Sequence, residues 1–186
     1  MTNETIQVTE QLTFSPAKYT ALLSVPANRM KEVVEAASAI VLEHSLTAKN
    51  EFHITLIGFA LGKQLQDVVQ KLPKEQQERI PELLADLLSS YVWDFSFETD
   101  FYLIEKKYQF KNRPAETRAS LIQVVHMPAL ADLYEYLSTA FAVRLQEPFP
   151  HITLYSKSTN PQNQTMGIGI NSVSEFEQLQ PKKIEI

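Results

Sequence analysis

Apolar positions along the chain switch between a period of two and a period near 3.6, and the switches lay out alternating strands and helices. KYTALLSV (18–25) is short, β-prone and closed by Pro26, which predicts a strand. From Asn28, a candidate N-cap, Met30, Val33, Val34, Ala37, Ile40 and Val41 recur at helical spacing. EFHITLIG (51–58), rich in β-branched and aromatic residues, reads as a strand. Two amphipathic helical pieces follow, one around Leu65, Val68, Val69 and Leu72, the other around Leu83, Leu84, Leu87 and Leu88. Pro73 separates them, and Pro81 is assigned to the first turn of the second, where its missing N–H is tolerated. VWDFSFE (92–98) alternates, with Trp93, Phe95 and Phe97 on one face and assigned to the core. Thr99-Asp100 is expected to turn tightly into FYLIEKKYQF (101–110).

The second half repeats the scheme. RASLIQVVH (118–126) is a strand, and Pro128 opens a helix with the stripe Leu130, Leu133, Tyr134, Leu137, Ala140 and Phe141. FPHITLYS (149–156) is the next strand, followed by a polar loop (157–165) and a final segment from MGIGINSV onward that could add strands. Residues 1–17 fall to an N-terminal arm. Each half runs strand, Pro-Ala, helix, then a strand carrying HITL: Pro26-Ala27 leads to His53, and Pro128-Ala129 leads to His151. The expectation is an internal duplication. It predicts two similar strand–helix–strand lobes about a pseudo-twofold axis, packed together in a single domain over residues 1–186.

Bulk properties narrow the classes. The 186 residues are 44% hydrophobic and 21% charged, as in an ordinary soluble globular protein. No apolar run approaches the ~20 residues that span a bilayer, and MTNETIQVTEQ has no basic start or apolar core of a secretory signal. A monomer at a cytoplasmic address, off the membrane, is the expectation. With no cysteine there is no disulfide, thiol nucleophile or thiolate-bound metal. A net charge of −5 argues against coating long nucleic acid. Residues 101–120 depart from that mean, with Lys106, Lys107, Lys111, Arg113 and Arg118 against Glu105 and Glu116. They read first as a solvated hairpin and loop, and second as a basic lip beside an anionic ligand.

The repeated word carries chemistry. Two of only four histidines open it. In a strand, residues i and i+2 share a face, so His53 projects with Thr55 and His151 with Thr153, while Ile54, Leu56, Ile152 and Leu154 turn to the core. One cleft between the two strands would hold two imidazoles and two hydroxyls. A neutral imidazole can take a proton from an oxygen attacking phosphorus while a protonated one supplies the leaving oxygen. Threonine hydroxyls can donate to the non-bridging oxygens, where charge accumulates. The scheme uses no metal and no cofactor.

Two H-x-T motifs on strands, His53-Ile54-Thr55-Leu56 and His151-Ile152-Thr153-Leu154, resemble those of the two-histidine (2H) phosphoesterase superfamily. The resemblance extends from about residue 18 to 176. It implies a bilobal α+β fold, with pseudo-twofold duplicated strand–helix–strand units and mainly antiparallel sheets lining a central cleft, and metal-independent phosphodiesterase chemistry, as in the bacterial cyclic phosphodiesterases also described as 2′-5′ RNA ligases. Members act on RNA ends, cyclic nucleotides, ADP-ribose cyclic phosphate and 2′-5′ linkages, so the expected partner is a nucleotide or short oligonucleotide. A catalytically silent nucleotide- or RNA-end-binding module is the rival reading.

Strand alternation places Tyr155 on the face of His151 and Thr153, where it could stack on a base, with packing as the alternative. Lys157 continues that face towards a terminal phosphate, and Arg113 of the basic stretch completes the candidate substrate contacts. His44, near a helix end, and His126, at a strand end, read as structural. Neither an HExxH word nor carboxylates at ligand spacing accompany the pair, which disfavours zinc.

Overall fold

A computed structural model provides the fold and describes residues 5–186. Its strands are β1 (Ile6–Gln7), β2 (Leu12–Ser15), β3 (Thr20–Val25), β4 (Thr47–Ala48), β5 (Phe52–Ile57), β6 (Ser96–Tyr108), β7 (Glu116–His126), β8 (His151–Ser158) and β9 (Lys182–Ile184). They form one open antiparallel sheet in the order β1-β2-β3-β5-β8-β7-β6-β9, with β4 alongside β8. The helices are α1 (Ala27–Ala36), α2 (Ser38–His44), α3 (Phe59–Val69), α4 (Lys74–Ser90), α5 (Ala129–Ala140) and α6 (Val173–Gln178). The α+β class therefore stands, on a single sheet in place of the expected sheets.

The period-two pattern explains which face is covered. Along β3, Ala21, Leu23 and Val25 are buried while Leu22 is partly exposed and Ser24 exposed. The apolar face takes the helices: Met30 of α1, Leu61 and Leu65 of α3, and Leu130, Leu133 and Leu137 of α5 join one core with Ile54 and Ile152. Burying such side chains contributes about 1.5–3 kcal/mol each. Polar tips are matched as they enter. The Tyr134 hydroxyl donates to the Leu56 carbonyl at 3.1 Å and the Tyr155 hydroxyl to the Val34 carbonyl at 2.6 Å. At Gly62 a β-carbon would collide with the backbone carbonyls of Lys18 and Tyr19, so α3 lies there at glycine distance.

The opposite face is covered only in part. Ile168, Ile170 and Phe176 pack on Ile104 and Ile122 as a smaller second core. Ser172 caps α6 by accepting from the Glu175 N–H at 3.0 Å. Lys106 of β6 pairs with the Glu175 carboxylate, which also accepts from the Asn171 backbone and side chain at 2.7 Å. The stretch of this face over β5 and β8 is left open to a cleft.

Several sequence expectations change. The expected arm 1–17 holds, among its described residues, β1 and β2, with Leu12 and Phe14 fully buried; residues 1–4 lie outside the described residues. Pro26 occupies the N-cap of α1 in place of Asn28, and the helix breaks at Ala37. Helix α4 begins after Pro73, so Pro81 sits inside it. Thr99-Asp100 is no turn: β6 runs through it with a register shift between Phe97 and Phe101. Residues 92–95 lie outside the strand, though Trp93 and Phe95 pack on the main core and the Trp93 indole donates to the Leu88 carbonyl at 2.9 Å. The final segment adds one strand, β9, after α6. No helix among the described residues is long and apolar enough to cross a membrane.

Candidate active site

The two HITL strands are neighbours. β5 and β8 pair antiparallel with Ile54 opposite Ile152. Continuing that register sets His53 across from Thr153 and Thr55 across from His151. Cross-strand neighbours of this kind have Cβ atoms about 4.5–5.5 Å apart. All four side chains line one cleft of about 360 Å³, whose wall is residues 162–169. Ile54, Leu56, Ile152 and Leu154 are fully buried.

Each motif also carries a β-bulge at the same place. On β5, Thr55 pairs with Leu22 but Ile57 with Ala21, so Leu56 is the extra residue. On β8, Thr153 pairs with Ile122 but Tyr155 with Leu121, so Leu154 is extra. A bulge shifts the alternation by one residue. It overturns the expected placement of two candidates. Tyr155 turns to the helix-covered face and is buried there, bonded to Val34. Lys157 follows it, donating to the His44 carbonyl at 3.4 Å and bordering a separate hollow of about 480 Å³ with Glu105, Thr117 and Lys182. Arg113 is exposed in the β6–β7 loop with its guanidinium 3.5 Å from the Phe110 ring centroid, and it does not line the cleft.

The basic stretch forms the β6–β7 hairpin, with Arg118 and Glu116 buried where solvation was expected, and none of its side chains lines the cleft. Lys106 and Arg118 are taken up by Glu175 and Glu116. His44 ends α2, and His126 ends β7 with its side chain exposed.

The histidines differ in setting. His151 is only 9% exposed, and its Nδ1–H donates to the Phe149 carbonyl at 2.7 Å. Nε2, the ring nitrogen not engaged at Phe149, is the one that can exchange a proton with a ligand, in competition with the Ile168 carbonyl of the wall. Burial lowers its pKa, while hydrogen bonds to the backbone at Phe149 and Ile168 favour the imidazolium and work against the shift. His53 is half-buried, and its pKa is lowered by burial first, then by the charge of Lys49 and the proximity of His151.

The wall is fixed by a polar knot. Buried Glu116 accepts from Arg118 Nε at 2.6 Å, Ser158 Oγ at 2.8 Å and Asn163 Nδ2 at 2.9 and 3.0 Å. These bonds, led by that from Arg118, hold its pKa down to about 2. Ser156 Oγ donates to the Gln164 carbonyl at 2.9 Å. The wall then passes so close to the floor that a β-carbon on Gly167 would lie 3.0 Å from Thr153 Oγ1.

Sequence reasoning missed Lys49, Met166 and Gly167, all of which line the cleft. The GIG of 167–169 was the available signal for close backbone approach; Lys49 left none. Among the described residues no three His, Asp or Glu side chains gather as a metal-binding group. Compared with known proteins, the chain matches no family model, no curated protein and no solved structure.

Proposed function

We propose that the protein is a metal-independent phosphodiesterase of the 2H type, hydrolysing a cyclic phosphate or a 2′-5′ linkage in a nucleotide or short RNA end. The observation that carries this reading is the pairing of β5 with β8, which presents two imidazoles and two threonine hydroxyls to one cleft. The bulges at Leu56 and Leu154 support the duplicated, pseudo-twofold, bilobal reading of the chain, since each falls directly after the threonine of its motif.

In this reading His53 is the base. Burial, and after it the Lys49 ammonium, favour its neutral form. It takes the proton of a water as that oxygen bonds to phosphorus. His151 is then the acid, its ring oriented by the Nδ1–H bond to the Phe149 carbonyl; it gives a proton to the departing ribose oxygen as the P–O bond breaks. Thr55 and Thr153 donate to the non-bridging oxygens as their charge rises. Binding through few phosphates accords with a cleft of this size and a net charge of −5.

The test is turnover of 2′,3′-cyclic nucleotides, cyclic-ended RNA, 2′-5′ oligoadenylates and ADP-ribose cyclic phosphate under exhaustive chelation. At least one should be hydrolysed, and His53→Ala and His151→Ala should each lower the rate at least ~10²-fold with the fold intact. Binding without turnover across the panel would replace the enzyme with a nucleotide- or RNA-end-binding module. A requirement for added metal would overturn the two-histidine chemistry.

A further inference from the structure

Among the described residues lining the cleft, Lys49 alone carries a fixed charge. Burial disfavours an ammonium ion, and Lys49 is half-buried, its pKa lowered by that burial while Glu51 pulls it back up. The fold goes to some length to hold it there. β4 pairs with β8 through Thr47–Ser156 and Ala48–Tyr155, and the Lys49 backbone N–H then donates at 3.0 Å to the carbonyl of Leu154, the bulge residue. From that anchor the side chain reaches the cleft wall, its Nζ donating to the Thr165 carbonyl at 2.6 Å. An ammonium has three protons. One is spent on Thr165, which leaves two for a ligand.

We propose that Lys49 is a phosphate-binding residue: its ammonium donates to a non-bridging oxygen of the phosphoryl group lying between His53 and His151, and its bond to Thr165 holds the wall beside that group. The identity of the ligand rests on the phosphodiesterase reading. Charge-assisted hydrogen bonds are the strong ones at a phosphate, and a site without a metal has few other sources of positive charge. The ionisable groups facing this lysine are Glu51 on its own loop and His53 on β5, with His151 of β8 lining the same cleft. The wall 162–169 offers none.

Inorganic phosphate binding to the full chain, followed through the histidine ring resonances, tests the assignment without relying on turnover. Lys49→Gln can still donate to Thr165 but has no charge, whereas Lys49→Arg keeps the charge. The glutamine variant should bind phosphate about ten- to a hundredfold more weakly, and the arginine variant should lose less. Without phosphate, His53 should titrate at a higher pH in Lys49→Gln, because the neighbouring cation is gone. Wild-type affinity in Lys49→Gln overturns the proposal, as does an equal loss in the arginine and glutamine variants, or no phosphate effect on His53 and His151 in the wild type. Phosphate capture without hydrolysis of any of the four substrate classes named above would remove the enzymatic reading and leave Lys49 in its role. Full hydrolysis by Lys49→Gln would do the reverse.

Discussion

Two histidines of one motif type occupy unlike surroundings. His151 is enclosed and tied to the backbone, whereas His53 is half-buried beside a lysine. Both are held below the ordinary imidazole value near 6.5, chiefly by burial. The free base must be neutral and the free acid protonated, so lowering both values moves both limbs of the bell towards acid. We therefore predict that kcat/KM, which reports the free enzyme, peaks on the acid side of pH 6.5; a peak above pH 7 would contradict these settings. The four residues of the two motifs were legible in the sequence because a repeated word needs no geometry to be noticed. Tyr155 and Lys157 were misplaced because the face of every residue beyond Leu154 depends on a bulge. A bulge depends on pairing with β7, and no local pattern in HITLYSK encodes it.

Elements taken singly were read better than their ends. The amphipathic stripes of α3 and α5 and the strands at β3, β5, β7 and β8 follow from periodicity. β2 escaped because four residues, LTFS, give too short an alternation to stand out, although Leu12 and Phe14 are wholly buried. Pro81 misled because proline is commonest at helix starts, whereas α4 continues through it. The wall 162–169 has no periodicity and is defined by what it touches, so only the glycines hinted at it. Their difference gives a prediction. A β-carbon at Gly167 would press on Thr153 Oγ1, while one at Gly169 meets nothing within 4 Å. Overpacking of this kind costs about 1–3 kcal/mol. Gly167→Ala should lower the thermal midpoint and reduce turnover or phosphate affinity by about tenfold, and Gly169→Ala should leave all three unchanged. Equal behaviour of the two would mean the wall moves freely away from the floor.

At the scale of the whole molecule, stability in acid centres on Glu116. The folded chain keeps this carboxylate ionised down to about pH 2, against an ordinary value of 4.5. Below 4.5 the unfolded chain takes up a proton that the folded chain refuses, so stability present above that pH drains away as pH falls towards 2. Glu116→Gln should be less stable than wild type at neutral pH and should lose less on acidification over that window, as measured by urea midpoints. Parallel loss in both chains would place the acid-sensitive group elsewhere. The sheet order has a kinetic consequence too. Ile54 and Ile152, the rung that joins the motifs, come from opposite halves of the chain. Closing a loop of about a hundred residues costs on the order of 4 kcal/mol in chain entropy before any contact forms, and distant pairings of this kind slow folding. Neither half of the polypeptide, taken alone, contains the cleft. A nascent chain emerging from its N-terminus carries β5 long before β8 exists to meet it, so the site is assembled by the completed molecule and by no part of it.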